Sequence, residues 1–320
     1  AKLAENYQFS FEGHPNNTTK EHLEALYQVG FRRVSYGVQD YDIKVQQAIH
    51  RIQPFEKVKQ ATEMAREIGY TSISHDIIFG LPFQSIEAVK NTILKTQELM
   101  PDRIAFYSYA HVPWIKGNGQ RGYSEEHLPS AEIKRKQYQL GKELLEEIGY
   151  VEIGMDHFAL KTDDLYQSLE AKQLHRNFMG YTASKTQLMI GLGVSSISDS
   201  WYGFAQNSKS IDEYQELVNN GELPVFRGHL LNDEDLIIRK HILNLMCHLQ
   251  TNLSIKDNLF ELPEILERLE EMEKDQLIEV LPASLQITEK GRPFVRNICM
   301  AFDLRLQRNK PETRLFSMTV

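Results

Sequence analysis

An α/β fold built on a parallel sheet is what this sequence predicts, from three features. Four apolar runs rich in β-branched and aromatic residues recur along the first third: YQFSFEG (7–13), RRVSYGV (32–38), SISHDIIFGLP (72–82) and RIAFYSYAHVP (103–113). Stretches of helical period separate them, and glycines stand where those helices must stop. Strands alternating with helices imply right-handed crossovers between parallel neighbours.

Taken in order, Thr18 or Thr19 offers an N-cap to the first helix, whose Leu23, Leu26 and Tyr27 share one face. Further helices are expected over Val58 to Ile68 and Ile86 to Leu99, with Gly30, Gly69 and Gly149 as left-handed C-terminal stops. In parallel sheets and barrels, ligands gather at the carboxyl ends of the strands. Glu12, Gln39, Asp76 and the Tyr109-Ala110-His111 turn fall at the ends of successive expected strands. They are therefore expected to converge on one mouth, polar groups on loops over a rigid scaffold being the usual form of a site.

A further strand is expected through Val151 to Met155, followed by Asp156 and His157. That pair is either a general acid and base or a strand-end pair satisfying loop backbone. His175 and Arg176 in LHRNFMGYT (174–182) are either a grip on a carboxylate or surface charges, and Arg51 is read the same way. The glycines of LMIGLGVSSIS (188–198) do not fit a dinucleotide fingerprint, since position 196 is serine, and the segment is read as a tightly packed or ligand-approached strand.

From about Phe226 the pattern becomes helical, giving an expected division into 1–225 and 226–320. Two or three helices and a short hairpin with ITEKGR at its end resemble a winged-helix module. Residues 255–296 hold ten acids against six bases, a net of −4, so DNA binding is not expected and a lid or structural cap is.

The 320 residues are 41% hydrophobic and 25% charged with a formal net charge of −8, which suits a globular chain without an electrostatic grip on nucleic acid or an acidic membrane. No stretch approaches the length of a membrane span, so the expected partner is a small molecule or a protein. Cys247 and Cys299 have neither disulfide nor metal spacing, are read as packed thiols, and suit a reducing cytoplasm. The histidines show no HxxxH or HxH spacing, and no metal site made by this chain alone is expected.

Taken together and in this order, SFEGHP, GFRRVSYGVQDYD, DIIFGLP, YAHVP, GMDHFA, LHRNFMGYT, GLGVSSIS and RNICMAFD resemble the family of bacterial oxygen-independent coproporphyrinogen III oxidases (coproporphyrinogen dehydrogenases) of the radical S-adenosylmethionine superfamily. The early motifs are shared with related proteins, including a haem-chaperone branch, while GMDHFA, HRNF and RNICM are narrower. The resemblance implies a (β/α)6 partial TIM barrel holding a 4Fe-4S cluster and two S-adenosylmethionine molecules. The implied reaction is oxidative decarboxylation of two propionates of a tetrapyrrole, coproporphyrinogen III, to vinyl groups. By motif, Glu12 is implied at the ribose hydroxyls of the first S-adenosylmethionine. Gln39, Arg51, Asp76 and Ala110 would line the second site or its border, and Ile197 would contact an adenine.

One departure stands against these agreements. The family binds its cluster through CxxxCxxC, which these 320 residues do not contain. The four strands are accordingly expected to be the third to sixth of the barrel in an N-terminally truncated chain, and no cluster is expected on this chain. The rival readings are a haem-binding or haem-chaperone relative on the same scaffold, and a barrel hydrolase or lyase using Asp156 and His157.

Overall fold

The computed structural model describes residues 3–5, 7–113, 120, 122–253 and 261–309; part of the tail read as helical, 254–260, lies outside them. The chain forms two compact units, the first running through Gln167 and the second beginning at Ser168.

In the first unit β1 (Phe9–Gly13), β2 (Phe31–Gln39), β3 (Ser72–Phe79) and β4 (Arg103–Ser108) are joined by α1 (Lys20–Gln28), α2 (Ile43–Ala48), α3 (Phe55–Ile68) and α4 (Ile86–Leu99). Beyond β4 come α5 (Ala131–Glu147) and the hairpin β5 (Tyr150–Gly154) and β6 (His157–Leu160). The sheet order is β1-β2-β3-β4-β6-β5, with β1 to β4 mutually parallel and β6 antiparallel to both β4 and β5. Four parallel strands in chain order, without reversal, are the winding of a (β/α) barrel rather than of a doubly wound sheet. The sequence shows β5 but not β6, which takes the place beside β4.

Local chemistry starts and stops these helices. Thr19 caps α1 by accepting from His22 N at 3.3 Å, Ser85 caps α4 by accepting from Ala88 N at 3.0 Å, and Ser130 caps α5 by accepting from Ile133 N at 3.3 Å. Gly30, Gly69 and Gly149 follow helices at φ of 105°, 108° and 102°, a region costly for residues with a Cβ.

Side-chain alternation gives the sheet two unlike faces. Val34, Tyr36, Ile73, Ile77, Phe79, Ile104 and Phe106 lie on the helix-packed face and are buried in two core clusters with residues such as Leu23, Ala61, Ile93 and Leu145. Burying each large apolar side chain contributes about 1.5–3 kcal/mol before chain entropy is charged against it. The other face carries Glu12, Arg33, Ser35, Gly37, Gln39, Ser74, Asp76, Arg103 and Tyr107, small or polar residues that no apolar layer requires.

After α6 (Asp164–Glu170), the second unit contains β7 (His175–Asn177) and β8 (Gly180–Thr182) as a hairpin, then β9 (Leu188–Met189), β10 (Ile197–Ser200), β11 (Gly203–Asn207), α7 (Ile211–Asn219) and β12 (Val225–Leu230). Its tail comprises α8 (Asp233–His248), β13 (Gln250–Asn252), α9 (Leu262–Lys274), β14 (Ile278–Leu281), β15 (Ser284–Ile287), α10 (Val295–Phe302) and α11 (Leu304–Arg308). Helices with a three-stranded sheet of order β13-β15-β14 have the winged-helix pattern. ITEKGR stands at the end of the hairpin, as the sequence implies: Pro282 and Ala283 make the turn, Ile287 closes β15, and Thr288 caps a following 3-10 helix by accepting from Gly291 N at 3.1 Å.

Two sequence-based boundaries move. LMIGLGVSSIS is not one strand but β9 and β10 around a loop, in which a Cβ on Gly191 would stand 2.6 Å from the Ile197 carbonyl oxygen. The compact units also divide before 225/226, because the 175–230 segment is tied to the tail: Arg239 donates to Asp199 at 2.7 Å and Tyr181 OH to the Met246 carbonyl at 2.9 Å.

Candidate functional site at the carboxyl side of the parallel strands

Glu12 and Asp76 sit on the polar face of the sheet, Glu12 paired in register with Ser35 and Asp76 with Gly37 and Ala105. Asp76 is not at a strand end, as the sequence suggests, but three residues before the last residue of β3. Its carboxylate accepts from Ser35 Oγ at 3.3 Å. Burial raises its pKa to about 6, against the Ser35 hydrogen bond; the Glu12 carboxylate raises it further and Arg51 opposes.

Arg51 approaches from the segment after α2 and donates through Nη2 to the Gly37 carbonyl at 2.9 Å. A Cβ on Gly37 would lie 2.8 Å from that Nη2 and 2.7 Å from Gln39 Nε2, so the glycine is what lets both side chains lie against the strand. Arg51 Nε is buried with no hydrogen-bond partner among the described residues. Gln39 holds φ at 68°, the left-handed region that few non-glycine residues occupy and that concentrates at functional sites. The otherwise regular strand therefore ends in polar residues: at Gln39 the backbone turns out of the sheet and presents an amide beside a guanidinium.

A buried network that the sequence reading missed supports this turn. Asp40 accepts from Gln84 Nε2 at 2.6 Å and from Asp42 N at 2.5 Å, while Gln46 Nε2 donates to the Asp40 carbonyl at 2.8 Å and Gln53 Nε2 to that of Gly37 at 2.9 Å. Burial lifts the Asp40 pKa to about 6, with the Gln84 hydrogen bond opposing. The signal for it was Asp40 beside Gln39, followed at turn-like spacing by Gln46 and Gln53. Ala110 follows β4 and contributes backbone, its carbonyl accepting from Gln120 Nε2 at 2.9 Å.

The remaining candidates divide. Asp156 lies in the turn between β5 and β6, where its carbonyl accepts from Phe106 N at 2.7 Å, and His157 Nε2 stands 3.4 Å from Tyr107 OH. In the second unit, Ile197 borders a hollow of about 480 Å³ with Phe178, Phe204, Arg227 and His229. Arg176 stacks over Tyr181 at 4.7 Å, with Nη1 buried and unpartnered among the described residues. Cys247 and Cys299 are buried thiols whose pKa values burial pushes up to about 12.

The donor set at the mouth fits an S-adenosylmethionine molecule: carboxylates accept from ribose hydroxyls or face an ammonium, and a guanidinium with an orphaned N–H pairs with a carboxylate. The residues present do not fit a 4Fe-4S cluster. The two thiols have raised pKa values, and among the described residues no group of three His, Cys, Asp or Glu is placed to hold a metal.

Comparison with known proteins bears on these features. Residues 1–95 match the Radical SAM superfamily model. The chain is 38% identical to the oxygen-independent coproporphyrinogen III oxidase of Helicobacter pylori, covering 95% of this chain and 68% of that protein. It is 37% identical to those of Synechocystis, with 99% and 70% covered, and of Escherichia coli, with 99% and 72% covered. The solved structure of the Escherichia coli coproporphyrinogen III oxidase, described as a radical SAM enzyme, superimposes with a TM-score of 0.88 at 38% identity, over 93% of this chain and 70% of that one. These relatives bear the oxidase name, which does not favour the chaperone reading, and the chain belongs to the oxygen-independent coproporphyrinogen III oxidase family of radical SAM proteins.

Proposed function

We propose that this chain carries out the family's reaction as part of an enzyme that also holds a 4Fe-4S cluster: oxidative decarboxylation of two propionates of coproporphyrinogen III to vinyl groups, giving protoporphyrinogen IX in anaerobic haem biosynthesis. The observation that carries this reading is the likeness to oxidases along nearly the whole chain, with an unsatisfied arginine and a carboxylate pair standing at the carboxyl side of its parallel strands.

In this reading Glu12 holds ribose hydroxyls of one S-adenosylmethionine, while Gln39, Arg51, Asp76 and the Ala110 backbone form the second site or its border. Ile197 meets an adenine. Arg51 offers its free Nε to a carboxylate, and Gly37 keeps the approach open. Bound S-adenosylmethionine supplies the hydrogen-abstracting 5′-deoxyadenosyl group. The substrate is a small anionic tetrapyrrole, and nucleic acid is no partner. Two free, buried cysteines and the lack, among the described residues, of a helix long and apolar enough to cross a membrane support a cytoplasmic setting.

The test joins this chain to the three-cysteine segment of a relative and assays coproporphyrinogen III anaerobically. Appearance of the two-vinyl product with release of carbon dioxide is expected; a folded, cluster-bearing chimaera without product overturns the reading. The chain alone, treated with iron and sulfide, is expected to form no stable chromophore and to release no 5′-deoxyadenosine.

A further inference from the structure

One face of α8, with Lys240, Leu243, Asn244, Cys247 and His248 at i, i+3, i+4, i+7 and i+8, borders a second hollow in the second unit, of about 600 Å³. Its other walls include Lys172, His175, Lys185 and Trp201, over a floor to which buried Leu174 and Cys247 contribute. Three lysines and two histidines thus meet, with no carboxylate among the described residues of the lining.

Elsewhere in this unit two arginines are closed on acids: Arg239 on Asp199 at 2.7 Å and Arg305 on Asp235 at 2.6 Å. Lys172 and Lys185 have no such partner among the described residues. The positive field is felt by the histidines. His175 is pushed below its ordinary pKa by burial and then by Lys185 and Arg239, with Asp199 opposing, and His248 by burial and then by Lys172. Lys172 and Lys185 are like charges with no carboxylate partner among the described residues, and an anionic ligand relieves the repulsion between them. The volume lies within the usual range for small-molecule sites, and the walls combine charge at the rim with an indole and aliphatic groups.

We infer that this hollow is a docking site for a tetrapyrrole bearing peripheral carboxylates, the lysines holding the carboxylates and the Trp201 and Leu243 walls the pyrrole rings. Resting on the reading above, the ligand is the propionate-bearing tetrapyrrole, as substrate or product. Lysine, a point charge on a flexible stem, suits carboxylates that must be taken up and let go, whereas a fixed arginine fork suits a permanent pair.

The test uses Trp114→Phe, which leaves Trp201 as the only indole. Coproporphyrin III, with four carboxylates, protoporphyrin IX, with two, and the tetramethyl ester of coproporphyrin III are titrated at low and high salt. Expected are quenching of Trp201 by the free acids and not by the ester, and weaker binding in salt. Lys172→Gln with Lys185→Gln should lower coproporphyrin affinity by about tenfold at unchanged melting temperature, since both side chains are exposed. Tighter binding of coproporphyrin than of protoporphyrin identifies the substrate, and the reverse identifies the product. Unchanged affinity in the double variant overturns the site and leaves the proposed function standing, as does loss of affinity on Arg51→Ala alone. Absence of porphyrin binding also overturns the site, while the chimaera assay decides the function separately.

Discussion

The two sides of strands β1 to β4 hold the same residue types, arginine and aspartate, in opposite states. At the amino-terminal side Arg103 donates to Asp163 at 2.8 Å and also pairs with Asp164, which accepts from Gln8 at 3.1 Å, while Asp163 accepts from Ser72 Oγ at 3.1 Å and Leu165 N at 2.8 Å. Arg103, Asp163 and Asp164 are thus answered within the protein. Towards the carboxyl side burial raises the Asp76 pKa to about 6, and Arg51 keeps an N–H with no partner among the described residues. A network closed on itself stabilises the fold, whereas one left open is a cost to the fold that a ligand can offset.

Five substitutions sharpen or break that contrast. The largest effect is expected from Arg103→Ala, which strands the Asp163 carboxylate at 2% side-chain exposure. It should lose about 3–5 kcal/mol in urea denaturation; a loss near zero would mean that the closed side is no more structural than the open one. Arg51→Ala should leave stability within about 1 kcal/mol but weaken S-adenosylmethionine binding about tenfold or more by equilibrium dialysis, the scale of a charge-assisted hydrogen bond. Gly37→Ala should copy its direction. The reverse pattern, intact binding with a large stability loss, would make Arg51 a structural strut.

Asp76→Asn should stabilise the protein at neutral pH by on the order of 1–3 kcal/mol while weakening ligand binding. The sign follows from its raised pKa: above its ordinary value the unfolded chain ionises first, so stability falls as pH rises from about 4 to about 6. The variant should flatten that slope in part, since Asp40 titrates in the same range and His75, which burial lowers to about 3, contributes a slope of opposite sign. A steeper slope in the variant would contradict the assignment. Smallest of all, Glu12→Gln removes a like charge and should lower the Asp76 pKa slightly, read by NMR titration, with no change in melting temperature. No movement of Asp76 would show that the two carboxylates do not share one field.

Where local chemistry decides, the sequence was readable. Alternation in RRVSYGVQ and SISHDIIF marks both faces of the sheet, and Gly30, Gly69 and Gly149 stop helices as their spacing implies. The polar face of Asp76 could be read, but its depth could not, because apolar Ile77 to Phe79 continue the strand past it. Less legible was whatever depends on distant pairing. Strand β6 is four residues long and is defined by β4 and β5, and the second unit is built from strands of two to six residues whose partners no short-range pattern names. Arg51 illustrates the limit within the site. A motif places it at the mouth, but only its single bond to the Gly37 carbonyl and its orphaned Nε distinguish it from a surface charge.

The chain-order winding of β1 to β4 also bears on how the protein folds. Each new strand needs only the one before it as a template, so the parallel part can grow by successive closures between neighbours in the chain rather than across it. The β5–β6 hairpin breaks that progression, because the later strand, β6, lies against β4 and the earlier one is left at the rim. The hairpin is therefore expected to form by itself and dock as a unit, so that native-state hydrogen exchange should show β5 and β6 opening together, ahead of β2 and β3.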